Sequence, residues 1–187
     1  MNPTPGRQPT NVILIGMPGV GKSTVGVILA KHLGFDFIDT DLVIQRREGK
    51  RLQALILQHG LEGFKDLEAR HLERIAAQKS VIATGGSVVY RDRAMAHLKA
   101  LGRIVHLDLS LEPLQKRLAS LDERGVVRLP GQTIAAIYAE RLPLYRRHAQ
   151  VTVATDDLTP DLVVNAIRQT LNILNNRISI SPHRFRG

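Results

Sequence analysis

The most constraining feature of the sequence is the glycine-rich segment Gly16–Ser23, which reads Gly-Met-Pro-Gly-Val-Gly-Lys-Ser. It matches the Walker A pattern, a glycine followed by four residues and then Gly-Lys-Ser. An apolar run, Val12–Ile15, precedes the segment, and Thr24–Leu33 follows it with helical spacing. In that setting the pattern predicts a strand, a phosphate-binding loop and a helix, and it favours this over a glycine-rich structural turn.

The residue types of this loop suit the phosphates of a nucleotide. Its glycines let successive backbone N–H groups face phosphate oxygens, and the N-terminus of the following helix adds partial positive charge. Lys22 is expected to reach the β- and γ-phosphates, and the Ser23 hydroxyl is expected to bind Mg²⁺. The segment therefore predicts a site for ATP and Mg²⁺ formed by Gly16, Gly19, Gly21, Lys22, Ser23 and Thr24.

Short apolar runs alternate with helical patterns along the chain. The predicted strands are Val12–Ile15, Phe35–Ile38, Ser80–Ala83, Ile104–Leu107 and Val151–Val153. The predicted helices are Thr24–Leu33, Leu42–Glu48, Leu52–Gln58, Leu61–Gln78, Arg91–Leu101, Leu111–Ala119, Thr133–His148 and Asp161–Leu174. This alternation predicts a three-layer α/β sandwich, with five parallel strands covered by helices on both faces. Ligands of such folds bind beyond the carboxyl ends of the strands.

The 187 residues suit one compact domain, which we place at residues 11–174. Residues 1–10 are polar, lack the apolar core of a signal peptide, and are expected to be flexible. Residues 120–132 are polar and contain Gly125, Pro130 and Gly131, which predicts a mobile lid. Residues 175–187 show no helical period and predict a basic, disordered tail.

Composition narrows the possible partners. The net charge of +9 admits a nucleic-acid partner. The aromatic content of 4%, with no stacking platform, favours small anionic ligands and a basic tail instead. Cysteine is absent, which excludes disulfides and thiolate metal sites and fits a reducing compartment. No apolar run is long enough to span a membrane. We expect a cytoplasmic monomer that binds neither nucleic acid nor membrane.

Two carboxylates follow the second predicted strand. Asp39 and Asp41 are spaced by two, so in an extended segment their side chains would point the same way. One carboxylate would then sit near the metal while the other accepts a proton from the substrate. The alternative is that this segment caps the helix at Leu42, a purpose that Thr40 or Asp41 could serve.

Paired glycines follow the third predicted strand, in Ala83-Thr84-Gly85-Gly86-Ser87. Glycines at such a point let the backbone approach a ligand closely. A tight turn without ligand contacts is the alternative.

With these motifs, the sequence from about Asn11 to Leu174 resembles the shikimate kinases, a branch of the P-loop kinases. The resemblance implies a P-loop kinase fold with a mobile lid and phosphorylation of a small anionic substrate, most simply shikimate, by ATP. It implies that Asp39 supports Mg²⁺ and that Asp41 binds and activates the substrate hydroxyl. It also implies a substrate site that includes Lys65, Gly85, Gly86, Ser87 and Arg141.

Further roles follow from the same resemblance. Arg117 falls at the position of the adenine-stacking arginine, and Arg128 at that of the lid arginine that reaches the transferring phosphate, with Arg124 as a second candidate. Glu68 falls at the position of an acid that supports residue 65.

The sequence departs from the family pattern at the predicted substrate site. Lys65 stands where the family has arginine, and a lysine offers a point charge where arginine forms a planar two-pronged pair. Ser87 stands where the family has glycine. These two departures leave open a related kinase with a different hydroxylated substrate. A ligand-sensing domain without turnover is a third possibility, which the intact Lys22, Ser23 and both aspartates argue against.

Overall fold

In the computed structural model of the chain, residues 11–120 and 131–179 are described. They form five strands: β1 (Asn11–Ile15), β2 (Asp36–Asp39), β3 (Ser80–Ala83), β4 (Gly102–Asp108) and β5 (Val151–Ala154). They also form seven α-helices: α1 (Lys22–Leu33), α2 (Thr40–Glu48), α3 (Leu52–Leu72), α4 (Asp92–Leu101), α5 (Leu111–Ser120), α6 (Ile134–His148) and α7 (Pro160–Ser179).

The five strands form one parallel sheet in the order β2-β3-β1-β4-β5. All residues of β1 and β3 are buried, as expected for strands that are covered on both faces. The predicted α/β sandwich is therefore confirmed. Since β1 lies between β3 and β4, the loop after β1 is flanked by the turns that follow these two strands. This arrangement brings the glycine-rich loop next to Gly85 and Gly86.

Glycines end or interrupt three helices where the sequence predicted it. Gly34 and Gly49 follow α1 and α2 in the left-handed conformation, with φ of 65° and 63°. Gly60 breaks the helical geometry inside α3, with φ of 66° and ψ of 176°. The predicted division of this region into two helical pieces is confirmed, although the second piece ends at Leu72 and not at Gln78.

The start of α2 and the end of α7 also differ from the prediction. Helix α2 begins at Thr40, because the Asp39 carboxylate accepts hydrogen bonds from the backbone N–H groups of Asp41 and Leu42 and so caps the helix. Asp39 is the cap in place of the predicted Thr40 or Asp41. Helix α7 continues through Ser179, beyond the predicted end at Leu174, so the prediction of a tail without helix is wrong for residues 175–179.

A short 3₁₀ turn, Val88–Tyr90, connects the end of β3 to α4 and was not predicted from the sequence. Among the described residues, no helix combines the length with the apolar composition that a membrane span needs. The predicted lid spans residues 120–132, and its residues 121–130, including Arg124 and Arg128, lie outside the described residues. Ser120 ends α5. Residues 1–10 and 180–187 lie outside the described residues as well.

Candidate active site

A cavity of about 670 Å³ opens at the carboxyl ends of β1, β2 and β3. Its walls come from the glycine-rich loop, from the start of α2 and from the turn after β3. Predicted site residues among its lining are Gly19, Gly21, Lys22, Ser23, Thr24, Asp39, Asp41 and Gly86. The lining also includes Gln45 and Arg51, which were not predicted from the sequence. The cavity thus brings together the predicted phosphate loop and both predicted carboxylates.

Lys22 is held against its own loop. Its Nζ donates hydrogen bonds to the carbonyl oxygens of Gly16 and Met17, each at 2.9 Å, and the residue is only 8% exposed. Burial lowers the pKa of the Lys22 amine to about 8, and the nearby Asp41 carboxylate opposes this shift. The amine is therefore still mostly charged at neutral pH and is fixed beside the loop that is expected to hold phosphates.

The Asp39 carboxylate has two roles at once. One oxygen caps α2, and the other accepts a hydrogen bond from the Ser23 hydroxyl at 2.7 Å. The Asp39 side chain therefore caps the helix and faces the cavity of the predicted site at the same time. The contact also joins the end of β2 to the start of α1, so that two hard oxygen donors lie next to the predicted phosphate position.

Asp41 lies in the first turn of α2 and not in an extended segment as predicted, yet it faces the same cavity as Asp39. Burial raises the pKa of its carboxyl group to about 6, and the charge of Asp39 adds to the shift while Lys22 opposes it. A carboxylate with a pKa close to the working pH is suited to accept a proton from a hydroxyl group.

Gly85 and Gly86 lie in close contact with side chains of the cavity wall. The Gly85 N–H donates to the Thr40 hydroxyl at 3.2 Å. A Cβ atom at Gly85 would lie 2.8 Å from Oδ1 of Asp41. A Cβ atom at Gly86 would lie 2.6 Å from Cδ of Pro18 and 3.2 Å from Nη1 of Arg141. Glycine is required at both positions because any larger residue would collide with these neighbouring side chains.

Ser87 and Glu68 form a buried pair behind these glycines. Each residue is 2% exposed, and the Ser87 hydroxyl donates to Oε2 of Glu68 at 2.7 Å. Burial raises the pKa of Glu68 to about 7, and the Ser87 hydrogen bond opposes the shift. Oε1 of Glu68 has no hydrogen-bond partner among the described residues. The Ser87 side chain is therefore bonded to the protein interior.

Lys65 is paired with a different acid from the one expected. Its Nζ lies 2.7 Å from Oε1 of Glu62 and 3.9 Å from the ring centroid of Tyr90. Glu68, which the resemblance assigned as its supporting acid, instead bonds Ser87.

Arg141 is 1% exposed in α6, and its Nε donates to the Tyr90 hydroxyl at 3.0 Å. The neighbouring Tyr145 hydroxyl donates to the carbonyl oxygen of Gly86 at 2.6 Å. Helix α6 therefore contributes both a buried cation and a tether for the glycine turn.

A smaller cavity of about 190 Å³ lies on the other side of the phosphate loop. It is lined by Gly21, Thr24 and Arg117, together with residues at the start of α7. Arg117 also donates a hydrogen bond to the carbonyl oxygen of Val20 at 3.4 Å. Two predicted nucleotide contacts, Thr24 and Arg117, thus share a pocket next to the predicted phosphate site.

Three further residues that shape the site were not predicted from the sequence as site residues. Thr40 was considered only as a cap, although its place between the two aspartates could have suggested a contact with the glycine turn. Tyr145 follows Arg141 by one helical turn, a spacing that puts both on one face of α6. Tyr90 carried no signal in the sequence.

The parallel sheet, its strand order and the glycine-rich loop with a buried lysine define a kinase of the P-loop class. The shikimate kinase family model matches residues 18–172. The chain belongs to the shikimate kinase family.

Similar proteins agree with this assignment over nearly the whole chain. A shikimate kinase of Pseudomonas aeruginosa (strain LESB58) is 41% identical over 170 residues, which cover 89% of this chain and 99% of that protein. A shikimate kinase of Thermodesulfovibrio yellowstonii is 37% identical over 169 residues, 89% of this chain and 97% of that one. The solved structure of the Acinetobacter baumannii shikimate kinase in complex with shikimate has a TM-score of 0.78 and 30% identity, and covers 89% of this chain and 94% of that chain.

Proposed function

We propose that this chain phosphorylates shikimate with ATP and yields shikimate 3-phosphate and ADP. The observation that carries the proposal is the shared cavity of Lys22 and Asp41, with the buried Arg141 guanidinium at its glycine wall. A phosphate-binding amine, a proton acceptor and a cation for a carboxylate are the groups that transfer to a hydroxy acid requires.

The transfer step uses Asp41 as the proton acceptor. The substrate hydroxyl oxygen attacks the γ-phosphorus of ATP, a new O–P bond forms, and the bond to the β–γ bridging oxygen breaks as ADP leaves. The hydroxyl proton passes to the Asp41 carboxylate, whose raised pKa suits that role. Lys22 stabilises the negative charge of the transferring group, because its amine is fixed beside the loop.

The donor set beside the loop fits Mg²⁺. Ser23 and Asp39 contribute a hydroxyl and a carboxylate oxygen 2.7 Å apart, and Mg²⁺ in kinase sites is held by one or two such ligands together with phosphates and water. Ser23 would bind the ion directly and Asp39 would support it. When bound, the ion supplies positive charge to the phosphate oxygens.

Nucleotide binding extends from the phosphate loop to the smaller cavity. Gly16, Gly19 and Gly21 hold the phosphates through the loop, and Thr24 and Arg117 contact the nucleotide beyond them. Support comes from the pocket that Thr24 and Arg117 share. Arg128, or alternatively Arg124, would reach the transferring phosphate from the lid, which lies outside the described residues.

The acceptor site would hold the substrate carboxylate between Lys65 and Arg141. Both cations contact the ring of the same tyrosine, Tyr90, and therefore lie close to each other. The backbone of Gly85, Gly86 and Ser87 would line the substrate, and Ser87 would do so without placing its side chain in the cavity, because that side chain bonds Glu68.

A second candidate is the phosphorylation of a different small hydroxylated acid. Lys65 favours this candidate, because its amine pairs with Glu62 and offers a substrate only a point charge. An arginine at this position would offer a planar, two-pronged group to a carboxylate. A sensing domain without turnover is disfavoured, because Lys22 and Asp41 both have shifted pKa values in one cavity.

A coupled assay of ADP release across a panel of hydroxy acids tests the proposal. We expect shikimate to give the highest kcat/KM of the panel. A higher kcat/KM for another acid would select the second candidate, and ADP release that no acid stimulates would select the sensing domain. The cytoplasmic location and the monomeric state stay predictions, which fractionation and sedimentation can test.

A further inference from the structure

Tyr90 lies between the two cations of the proposed acceptor site. It ends the 3₁₀ turn Val88–Tyr90 and is partly buried. Nζ of Lys65 lies 3.9 Å from its ring centroid, and Cζ of Arg141 lies 5.2 Å from the same centroid. Nε of Arg141 also donates to the Tyr90 hydroxyl at 3.0 Å. One side chain therefore contacts, through its ring and its hydroxyl, two cations that come from α3 and α6.

The two contacts restrain the cations in different ways. A lysine amine is a compact charge on a flexible stem, and the face of an aromatic ring attracts it electrostatically. The Lys65 amine also pairs with Glu62, whose side chain is 71% exposed. The Arg141 guanidinium is planar, so a hydrogen bond at Nε fixes the direction of the rest of the group. Nη1 of that group lies beside Gly86, at the cavity wall.

We infer that Tyr90 is a positioning residue for the carboxylate end of the acceptor substrate, holding Lys65 through its ring and Arg141 through its hydroxyl. The inference rests on the proposed function, since it assumes that these two cations bind the carboxylate. It also explains how a lysine can act at position 65: the ring supplies the directional restraint that the amine lacks.

A purely structural role would need only the volume of the side chain at position 90. A leucine at position 90 could occupy much of the same volume, yet it would offer neither a ring face to Lys65 nor an acceptor to Arg141. The raised pKa of Tyr90, which burial causes and Arg141 opposes, keeps the hydroxyl protonated at neutral pH. The hydroxyl can therefore accept from Arg141 while it stays neutral.

Two substitutions separate the two contacts. Tyr90→Phe removes the hydroxyl and keeps the ring, whereas Tyr90→Leu removes both. We expect the KM for shikimate to rise about threefold in Tyr90→Phe and about tenfold in Tyr90→Leu, with the KM for ATP and kcat nearly unchanged. Tyr138→Phe, on α6, is the matched control and should leave all three constants as they are.

A neutral substrate tests whether Tyr90 acts through the carboxylate. The methyl ester of shikimate has the same hydroxyl groups and no negative charge, so Tyr90→Phe and Tyr90→Leu should change its kcat/KM no more than the control does. The effect of Tyr90→Leu on shikimate should also shrink in a Lys65→Met background, because one of the two restrained cations is then absent.

The outcomes separate this inference from the proposed function. If the unaltered protein does not phosphorylate shikimate, the proposed function fails and the inference fails with it. If it does phosphorylate shikimate but both Tyr90 variants keep the same KM, only the inference is overturned. Equal losses with shikimate and its ester, or a fall in kcat and ATP affinity together, would show a structural role and would likewise overturn it. If Tyr90→Leu does not fold, Tyr90→Phe still tests the inference, because it removes only the hydroxyl group.

Discussion

The nucleotide end and the acceptor end of the proposed active site are constructed differently. At the nucleotide end, one continuous segment of chain forms the phosphate loop: Gly16–Ser23 would curve around the phosphates, and its own carbonyl oxygens hold the Lys22 amine. At the acceptor end, the side chains of three separate segments meet: Lys65 from α3, Tyr90 from the turn after β3, and Arg141 from α6.

This difference has a consequence for substitution. A site formed by backbone groups and one lysine tolerates few changes, because each glycine and the lysine have fixed roles. In a site formed by contacting side chains, a lysine can replace an arginine if a neighbouring side chain restrains its amine. We infer that Tyr90 does this for Lys65. We therefore expect changes at the phosphate end to affect kcat strongly and changes at the acceptor end to affect the KM for the acceptor.

The largest effect should come from Asp41, which lies where the two ends meet. Asp41→Asn removes the proton acceptor and should lower kcat about a thousandfold, within the range known for general bases. The affinity for ATP should stay near its original value. Asp36→Asn, at the exposed start of β2, is the matched control. Steady-state kinetics measure the change in kcat, and calorimetry measures the affinity for ATP. A near-normal kcat in the Asp41→Asn protein would show that Asp41 is not the proton acceptor.

A loss of about a hundredfold in kcat is expected for Lys22→Ala, because the removal of one donor that stabilises transition-state charge costs that much. The fold should persist, since the amine bonds only its own loop in the contacts described above. Lys31→Ala, on the exposed side of α1, controls for the loss of a positive charge. Circular dichroism and single-turnover rates give the comparison, and a turnover rate for Lys22→Ala equal to that of Lys31→Ala would contradict the phosphate-loop assignment.

The dependence of kcat/KM on pH should show two limbs that come from these same residues. Below about pH 6 the Asp41 carboxylate is protonated and cannot accept a proton, so the rate should fall as pH falls. Above about pH 8 the free enzyme loses the Lys22 charge, so the rate should fall as pH rises. Each limb approaches a tenfold change per pH unit.

The Asp41→Asn variant provides the control for this profile, because its residual activity should lose the acid limb and keep the alkaline one. A profile that is flat between pH 5 and 9 would show that neither group limits the reaction, whatever the effects of the substitutions.

The smallest effect is expected for Lys65→Arg, which restores the residue type of the family. An arginine can form a two-pronged pair with a carboxylate and can still stack on Tyr90. The KM for shikimate should stay equal or fall by up to about threefold, with kcat unchanged. A rise in KM by tenfold or more would mean that the lysine suits an acceptor other than shikimate.

The same contrast explains how far the sequence could predict the structure. The phosphate loop, the strands and the helix ends at Gly34 and Gly49 follow from local patterns, because glycine conformation and helical spacing act over a few residues. The spacing of Asp39 and Asp41 predicted that both side chains face one site. The sequence did not show that α2 begins at Thr40, and this start makes Asp39 the helix cap and places Asp41 in the first turn.

The acceptor end could not be predicted in the same way. The pairing of Lys65 with Glu62 is local, because the two residues lie three apart on α3. The bond from Ser87 to Glu68 and the contacts of Tyr90, by contrast, join residues whose meeting is decided by the packing of α3 and α6 around the turn after β3. No local pattern encodes such contacts. The resemblance supplied Glu68 as the partner of residue 65, and the structure pairs Glu68 with Ser87 instead.

The most direct test of the account measures the products of the unaltered protein with ATP, Mg²⁺ and shikimate. ³¹P NMR of the reaction mixture distinguishes a phosphate ester of shikimate from inorganic phosphate and follows ADP in the same spectrum. We expect one phosphorylated shikimate for each ADP formed and little ADP when shikimate is left out. ADP accompanied only by inorganic phosphate, or formed at the same rate without shikimate, would contradict it.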